Sequence, residues 1–287
     1  MRKLKVGLFF HTHIKKVLGI TKLVDGLISG FKLLGIPYAE NQLADVNGCL
    51  QGGVPNYMKL PLDTLMGVNL MVLPSEHPEV WKRYSRFVTS TQWVLTKYRL
   101  FKETAGKPIS LWAGGIDTDR FRPMNKDIKR DCFIYYKDVT KHVTESDLMR
   151  VQRELDSRGI THTTIKYGSY TESQLIELCR TSKFCVLMTG TESQGIAQME
   201  IMSMNVPLYV FNQTFFKYCN FTMEGASSIP FFDVERCGTY VNNNSFDRFD
   251  LFMDKLDSYN PREYILENFT LKKCAQVYYD IVTGGKA

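Results

Sequence analysis

Short apolar runs alternate along the chain with segments in which apolar side chains recur every three or four positions, a pattern that predicts strands interleaved with helices. Residues 4 to 10, "LKVGLFF", read as a buried strand. Leu23, Val24, Leu27, Ile28, Phe31 and Leu34 then fall at helical spacing, with Gly35 where that helix should stop. "VNLMVLPS" (68–75) and "TQWVLTK" (91–97) are expected to be further strands, separated by a polar helical piece that holds Trp81. Glycine and proline punctuate "GCLQGGVPNYMKLPL" (48–62), which reads as a loop, and "KPISLWAGGIDTDRFRP" reads as a short strand followed by a glycine turn.

After Pro123 and the charged "NKDIKRD" the pattern restarts at "CFIYY". It then alternates regularly: a helix over 144–158, a strand at "THTTIKYG", a helix at "TESQLIELCRTS", a strand at "KFCVLMTG", a helix over 195–204 ended by Asn205 and Pro207, and a strand at "PLYVFN". The restart places a domain boundary between residues 122 and 123, giving domains 1–122 and 123–287. Such alternation implies an α/β protein with mostly parallel sheets and right-handed crossovers, whose ligands sit at the carboxyl ends of strands beside helix N-termini.

The 287 residues suffice for two packed domains, and 44% hydrophobic with 23% charged residues is the balance of an ordinary globular protein without low-complexity tracts or repeats. The net charge of +6 favours anionic partners, but no block of five or six basic residues marks a nucleic-acid footprint. The seven cysteines are scattered, odd in number and free of any C-x-x-C pair, which argues against a disulfide framework or zinc site and for a reducing, cytoplasmic compartment. "VGLFF" is too short for a signal core, and nothing approaches the ~18 apolar residues of a membrane span, so any membrane contact is expected to be peripheral. The N-x-T sequons at Asn212, Asn220 and Asn268 are read as chance.

The stretch "TGTESQGIAQMEIMSMNVPLYVFN" (189–212) carries the chemistry. Glu192 falls in a strand-to-helix loop and Glu200 inside the following helix, roughly 7 to 9 Å along its axis from the first turn. The backbone N–H groups and positive dipole end of that helix suit an anion such as a diphosphate, and Gly195 lets a phosphate approach the backbone. Carboxylates on either side would repel more phosphate but accept hydrogen bonds from hydroxyls. The expected ligand therefore runs hydroxyls, diphosphate, hydroxyls: a sugar nucleotide. The competing reading from spacing alone is a loop carboxylate and a solvent-facing helical glutamate.

"ESQGIAQME" resembles the E-x(7)-E signature of retaining GT-B glycosyltransferases of the family 4 type, and "MSMNVPLYV" follows it as in that family. "LWAGGIDTDRFRP" is similar to the family's N-G-V-D-T-x-x-F-x-P segment between its domains, and "ENFTLKKCAQVYYDIV" resembles its closing helix. The similarity covers most of residues 109 to 287, and residues 1 to 108 in outline. It implies two Rossmann-like domains facing a central cleft, the N-terminal one small, with the first binding the acceptor and the second the nucleoside-diphosphate sugar. By position it implies that Glu192 contacts the donor sugar, that the amides near Gly195, Ile196 and Ala197 contact phosphate, and that Glu200 takes the ribose hydroxyls. Lys137 and Lys141 of "YYKDVTK" stand near the family's arginine and lysine that neutralise the leaving diphosphate, as point charges. Tyr167 and Tyr170 are candidates for the nucleobase pocket, and His11 and His13 for acceptor hydroxyls. The implied reaction is hexosyl or pentosyl transfer to an acceptor hydroxyl with retention. It needs no metal or cofactor beyond the donor, and the leaving phosphate helps to deprotonate the acceptor.

Gln194 stands where the family usually has phenylalanine, the first domain is short, and "HTHIKKVLGI" replaces a Gly-Gly loop; these departures leave open a catalytically silent sugar-nucleotide binder. From another class, the strand ending in "FFHTH" suggests a metal-dependent hydrolase using His11 and His13. Only His77, His142 and His162 remain as further imidazole ligands, none in a strand-end context with an acidic partner. Asp117 and Asp119 form a D-x-D whose surroundings match the interdomain segment instead of a metal site. No G-x-S-x-G, complete P-loop or G-x-G-x-x-G is present.

Overall fold

A computed structural model describes residues 3–11, 19–52, 54, 56–69, 71–125, 127–138, 143–242 and 245–285. They form two compact units, Met1–Gly115 together with Phe269–Ala287, and Ile116–Asn268.

The first unit runs β1 (Val6–Phe9), α1 (Gly19–Leu34), β2 (Tyr38–Glu40), β3 (Val46–Gln51), β4 (Leu65–Asn69), α2 (Pro78–Arg83), β5 (Arg86–Thr89), α3 (Gln92–Arg99) and β6 (Ile109–Leu111). Its strands pair in parallel in the order β2-β1-β3-β4-β5-β6. α1 buries Leu23, Val24, Leu27 and Phe31 against Val6, Leu8, Leu50, Leu65 and Val88, and stops before Gly35. The stretch 91–97 is helical, correcting the expected strand. The sheet position is taken by β5, the chain turns at Ser90 and Thr91, and Trp93, Val94, Lys97 and Tyr98 then form the buried face of α3. Of the strand expected at 68–75 only Val68 and Asn69 belong to β4, and Pro74–Glu76 forms a turn of 3-10 helix, correcting that expectation.

The second unit runs β7 (Arg130–Lys137), α4 (Glu145–Ser157), β8 (His162–Lys166), α5 (Glu172–Thr181), β9 (Ser182–Thr189), α6 (Ile196–Ser203), β10 (Leu208–Phe211), β11 (Phe215–Tyr218), β12 (Phe221–Glu224), β13 (Gly238–Val241), α7 (Phe249–Asp254) and α8 (Pro261–Asn268). Five strands pair in parallel in the order β13-β10-β9-β7-β8, while β11 and β12 make a separate antiparallel hairpin. Thr144 and Thr171 start α4 and α5 with reciprocal capping, their hydroxyls accepting from the Asp147 and Gln174 amides at 3.2 and 3.3 Å, each cap contributing about 1 kcal/mol. Phe184, Tyr209, Phe246, Phe249 and Phe252 pack as an aromatic layer on one face of the sheet.

The units differ from a division at 122/123 in two respects. Residues 116–122 are held by the second unit: Ser203 Oγ donates to the Phe121 carbonyl at 2.6 Å, and the Arg262 guanidinium donates to the carbonyls of Phe121, Thr118 and Ser203 at 3.1, 3.2 and 2.7 Å. The last helix, α9 (Leu271–Thr283), belongs to the first unit, where Ala275, Tyr278, Tyr279 and Val282 complete the α1 core and Trp112 Nε1 donates to the Cys274 carbonyl at 2.8 Å. Among the described residues no helix is long and apolar enough to cross a membrane.

Candidate functional site

The carboxyl ends of β8, β7 and β9 lie side by side, with Tyr136 opposite Lys166 and Lys137 opposite Thr189. The chain leaves β9 at Thr189, turns through Glu192, and enters α6 at Ile196. The turn closes on Gly195 in the left-handed region, φ 69° and ψ 43°. A side chain there would be strained, and its Cβ would lie 2.4 Å from Gln198 Oε1. From Ile196 to Ser203 α6 is buried except at the half-buried Ala197. Its N-terminal amides therefore act in a low-dielectric setting, where a helix dipole is least screened.

Lys137, the last residue of β7, donates to Glu192 Oε1 at 2.6 Å, and its ammonium lies 4.5 Å from the Tyr167 ring centroid. Burial pushes the Glu192 carboxyl above its ordinary value, and the Lys137 charge and hydrogen bond oppose that rise. The Tyr170 hydroxyl shares a 3.2 Å hydrogen bond with Tyr135, the rings meeting edge to face. Burial pushes the Tyr170 hydroxyl up to about 12, the Tyr135 bond opposing and the Glu200 charge adding to the rise. Burial also drives the Tyr135 hydroxyl well above its usual range, and the Glu192 charge adds to it. One cluster thus brings Lys137, Glu192, Glu200, Tyr135, Tyr167 and Tyr170 around the start of α6. Glu200 is 3% exposed, so the solvent-facing alternative does not hold.

The loop is anchored by residues that spacing did not single out. The Glu192 amide donates to the Ser227 carbonyl at 2.8 Å, Gln198 Nε2 to the Ser228 carbonyl at 2.7 Å and Ser228 Oγ to the Thr189 carbonyl at 2.9 Å. Asn212 Oδ1 accepts from the Ser228 amide at 2.8 Å and from Ser227 Oγ at 3.1 Å. These bonds tie the turn to the segment after β12 and fix where the α6 amides point. The signal for them was the polar pair in "GASSIP" and an asparagine closing an apolar strand.

Of the other expected residues, Ile196 and Ala197 open α6 as required. Lys141 and His13 lie outside the described residues. In the first unit His11 is half-buried after β1, its amide donating to Gln51 Oε1 at 2.7 Å and its Nε2 lying 3.3 Å from the Gly52 carbonyl. Asp117 Oδ1 accepts from the amides of Asp119 and Arg120 at 3.2 and 3.0 Å, the work of a turn. Among the described residues no three His, Cys, Asp or Glu side chains group as metal ligands.

No protein-family model matches the sequence, and no curated protein matches it. Solved structures do match. The catalytic domain of starch synthase IV from Arabidopsis thaliana, bound to ADP and acarbose, aligns over 99% of both chains with a TM-score of 0.65 at 10% identity. The apo form of WaaB, a lipopolysaccharide outer core galactosyltransferase, aligns over 98% of this chain and 99% of its own at 0.56 and 11% identity. WaaG, a glycosyltransferase involved in lipopolysaccharide biosynthesis, aligns over 98% and 100% at 0.53 and 11%. With two Rossmann-like units built on parallel sheets and matches that run over nearly the whole of these chains, the chain has the GT-B fold.

Proposed function

We propose that the protein is a glycosyltransferase that moves a hexosyl or pentosyl group from a nucleoside-diphosphate sugar to an acceptor hydroxyl, with retention and without an essential metal. The observation that carries this reading is the buried start of α6, preceded by left-handed Gly195 and flanked by the Lys137–Glu192 pair, on a GT-B scaffold. The amides of Gly195, Ile196 and Ala197 receive the diphosphate, Glu200 takes the ribose hydroxyls, and Tyr170 borders the base. Glu192 holds the donor sugar. Lys137, with Lys141 as the second candidate, neutralises charge on the departing diphosphate, the step at which fixed dipoles and cations lower the barrier most. Preorganised amides do this without reorientation, so the leaving phosphate is stabilised as charge develops and draws the proton from the acceptor. The first unit takes a carbohydrate or glycoconjugate acceptor, with His11 and His13 as candidate contacts.

A second reading, a sugar-nucleotide binder without turnover, is favoured by one feature. Lys137 is already committed to Glu192 at 2.6 Å, so a diphosphate must compete for it. Melting curves with UDP-, ADP- and GDP-sugars, with and without chelator, test both. Stabilisation by a donor that chelator leaves intact, with slow release of nucleoside diphosphate, is expected of the enzyme. Stabilisation without release selects the silent binder, and failure of every nucleotide to stabilise removes both.

A further inference from the structure

A second helix start, in the first unit, carries buried hydroxyls that its own fold does not use. β5 ends at Thr89, and Thr91 precedes α3 in the extended conformation of a capping residue, φ −138° and ψ 159°, its carbonyl accepting from the Leu95 amide at 3.0 Å. Yet the Thr91 hydroxyl makes no capping bond. The threonines before α4, α5 and α9 do, to the amides of Asp147, Gln174 and Lys273. Thr89 and Thr91 are 0% and 3% exposed, and neither Oγ1 meets a hydrogen-bond partner among the described residues.

Thr89 faces the same way as Phe87, two residues before it. Phe87 stacks on Trp81 of α2 at 3.9 Å, and Trp81 meets Tyr98 of α3 edge-on at 5.8 Å. Thr89 is therefore on the sheet face that α2 and α3 cover, and Thr91 is at the mouth of α3. Both hydroxyls rotate and can donate, the positive end of the helix dipole begins one residue after Thr91, and no acidic residue occupies the first turn of α3. Lys97, on the next turn and buried, lies over the Trp93 ring, and burial lowers its ammonium to about 8 against the opposing charge of Glu76.

Buried hydroxyls are normally paired. A group that satisfies two hydroxyl donors and helix amides together must be rich in acceptors and negative, which describes a phosphate. We propose that the amino terminus of α3, with Thr91 and Thr89, is a subsite for a phosphate group carried by the acceptor. Its assignment to the acceptor rests on the reading of the first unit as the acceptor side; the phosphate site itself does not.

Amide-resolved NMR of the full chain tests it, titrating inorganic phosphate. The amides of Gln92, Trp93 and Val94 should shift together and saturate. Thr91→Val should weaken that affinity roughly tenfold or more, whereas Thr91→Ser keeps it within about threefold. Because the hydroxyl has no partner to lose among the described residues, Thr91→Val should not lower the ligand-free melting temperature. Glycerol 3-phosphate and vesicles of phosphatidic acid then separate a soluble from a lipid-borne bearer, and binding of either supports the site. Unmoved amides at 92–94 while others respond would mean adventitious ions only. Equal phosphate affinity in Thr91→Val, or a lowered melt, would make the hydroxyl structural; each overturns the proposal. Shifts at Gly195–Ala197 on adding UDP report the donor reading separately in the same spectra.

Discussion

Replacing Glu192 by glutamine keeps the side chain's shape and removes its charge, and the geometry sets what should follow. The carboxylate lies 2.6 Å from Lys137 Nζ, with the two side chains 14% and 21% exposed. At that distance the gross attraction is about 6 kcal/mol for an effective dielectric near 20. Taking both groups out of water costs more than this attraction returns, since the Glu192 carboxyl stays raised with Lys137 in place. Glu192→Gln should therefore leave the melting temperature near pH 7 unchanged or raise it, at about 2–4 °C per kcal/mol. It also leaves the Lys137 charge uncompensated. If the cation serves the diphosphate, UDP or ADP should bind more tightly, by about tenfold if about 1.4 kcal/mol of the gross attraction is redirected. Turnover should nevertheless fall at least roughly a hundredfold, because the donor sugar loses its charged acceptor. Titration calorimetry and nucleoside-diphosphate release measure the two arms. The pH dependence follows from the raised Glu192 carboxyl: the fold favours the neutral acid, so the stability this group contributes is complete below the ordinary glutamate range and is lost as pH rises through the raised value. On acidification the native protein sheds the Glu192 charge, so the affinity gap between it and Glu192→Gln should narrow. Undiminished turnover would refute the sugar contact, and weaker diphosphate binding in the variant would refute competition for Lys137.

Gly195→Ala should cost about 1–2 kcal/mol in a thermal melt and about tenfold in nucleotide affinity, since alanine resists φ 69° and its Cβ meets Gln198. Asp131 accepts from Lys183 Nζ at 2.7 Å and from Thr161 Oγ1 and N at 2.7 and 2.9 Å; burial raises its carboxyl, but these bonds win and hold it below the usual range. Its contribution is present above the ordinary aspartate value and lost as pH falls through the lowered one, so Asp131→Asn should flatten the loss of stability below about pH 4. The Tyr278 hydroxyl is fully buried without a hydrogen-bond partner among the described residues; Tyr278→Phe should be neutral or stabilise by up to about 1 kcal/mol in denaturant unfolding.

The second unit was legible because its strands are apolar runs bounded by helices with ordinary caps. β7, β8, β9 and β10 fall within two or three residues of their expected limits, and Asn205, expected to end α6, follows it with a left-handed φ of 57°. The first unit was less so. β3 hides behind Gly48, which reads as loop punctuation yet sits mid-strand because the Tyr278 hydroxyl would lie 2.0 Å from a Cβ there. That partner is 230 positions away and leaves no local trace. The β11–β12 hairpin turns at Cys219 and Asn220 with no glycine or proline, Cys219 itself adopting φ 51°. At the site, the two glutamates and Gly195 could be picked from the sequence. The links from Lys137 to Glu192 and from Asn212 to Ser228 could not, because they join separate strands and loops. Asn212, read as a chance sequon, is 7% exposed and holds the Ser227–Ser228 segment.

Placing α9 in the first unit has a consequence for biosynthesis. The ribosome delivers residues 116–268 as one uninterrupted stretch, so the second unit has its whole sequence in hand while the first still lacks Ala275, Tyr278, Tyr279 and Val282. Until those side chains emerge, the surfaces of α1 and β3 that they cover stay wet, and the half made earliest is the last to close. Shortening the carboxyl terminus by a dozen or so residues would thus injure the opposite end of the polypeptide.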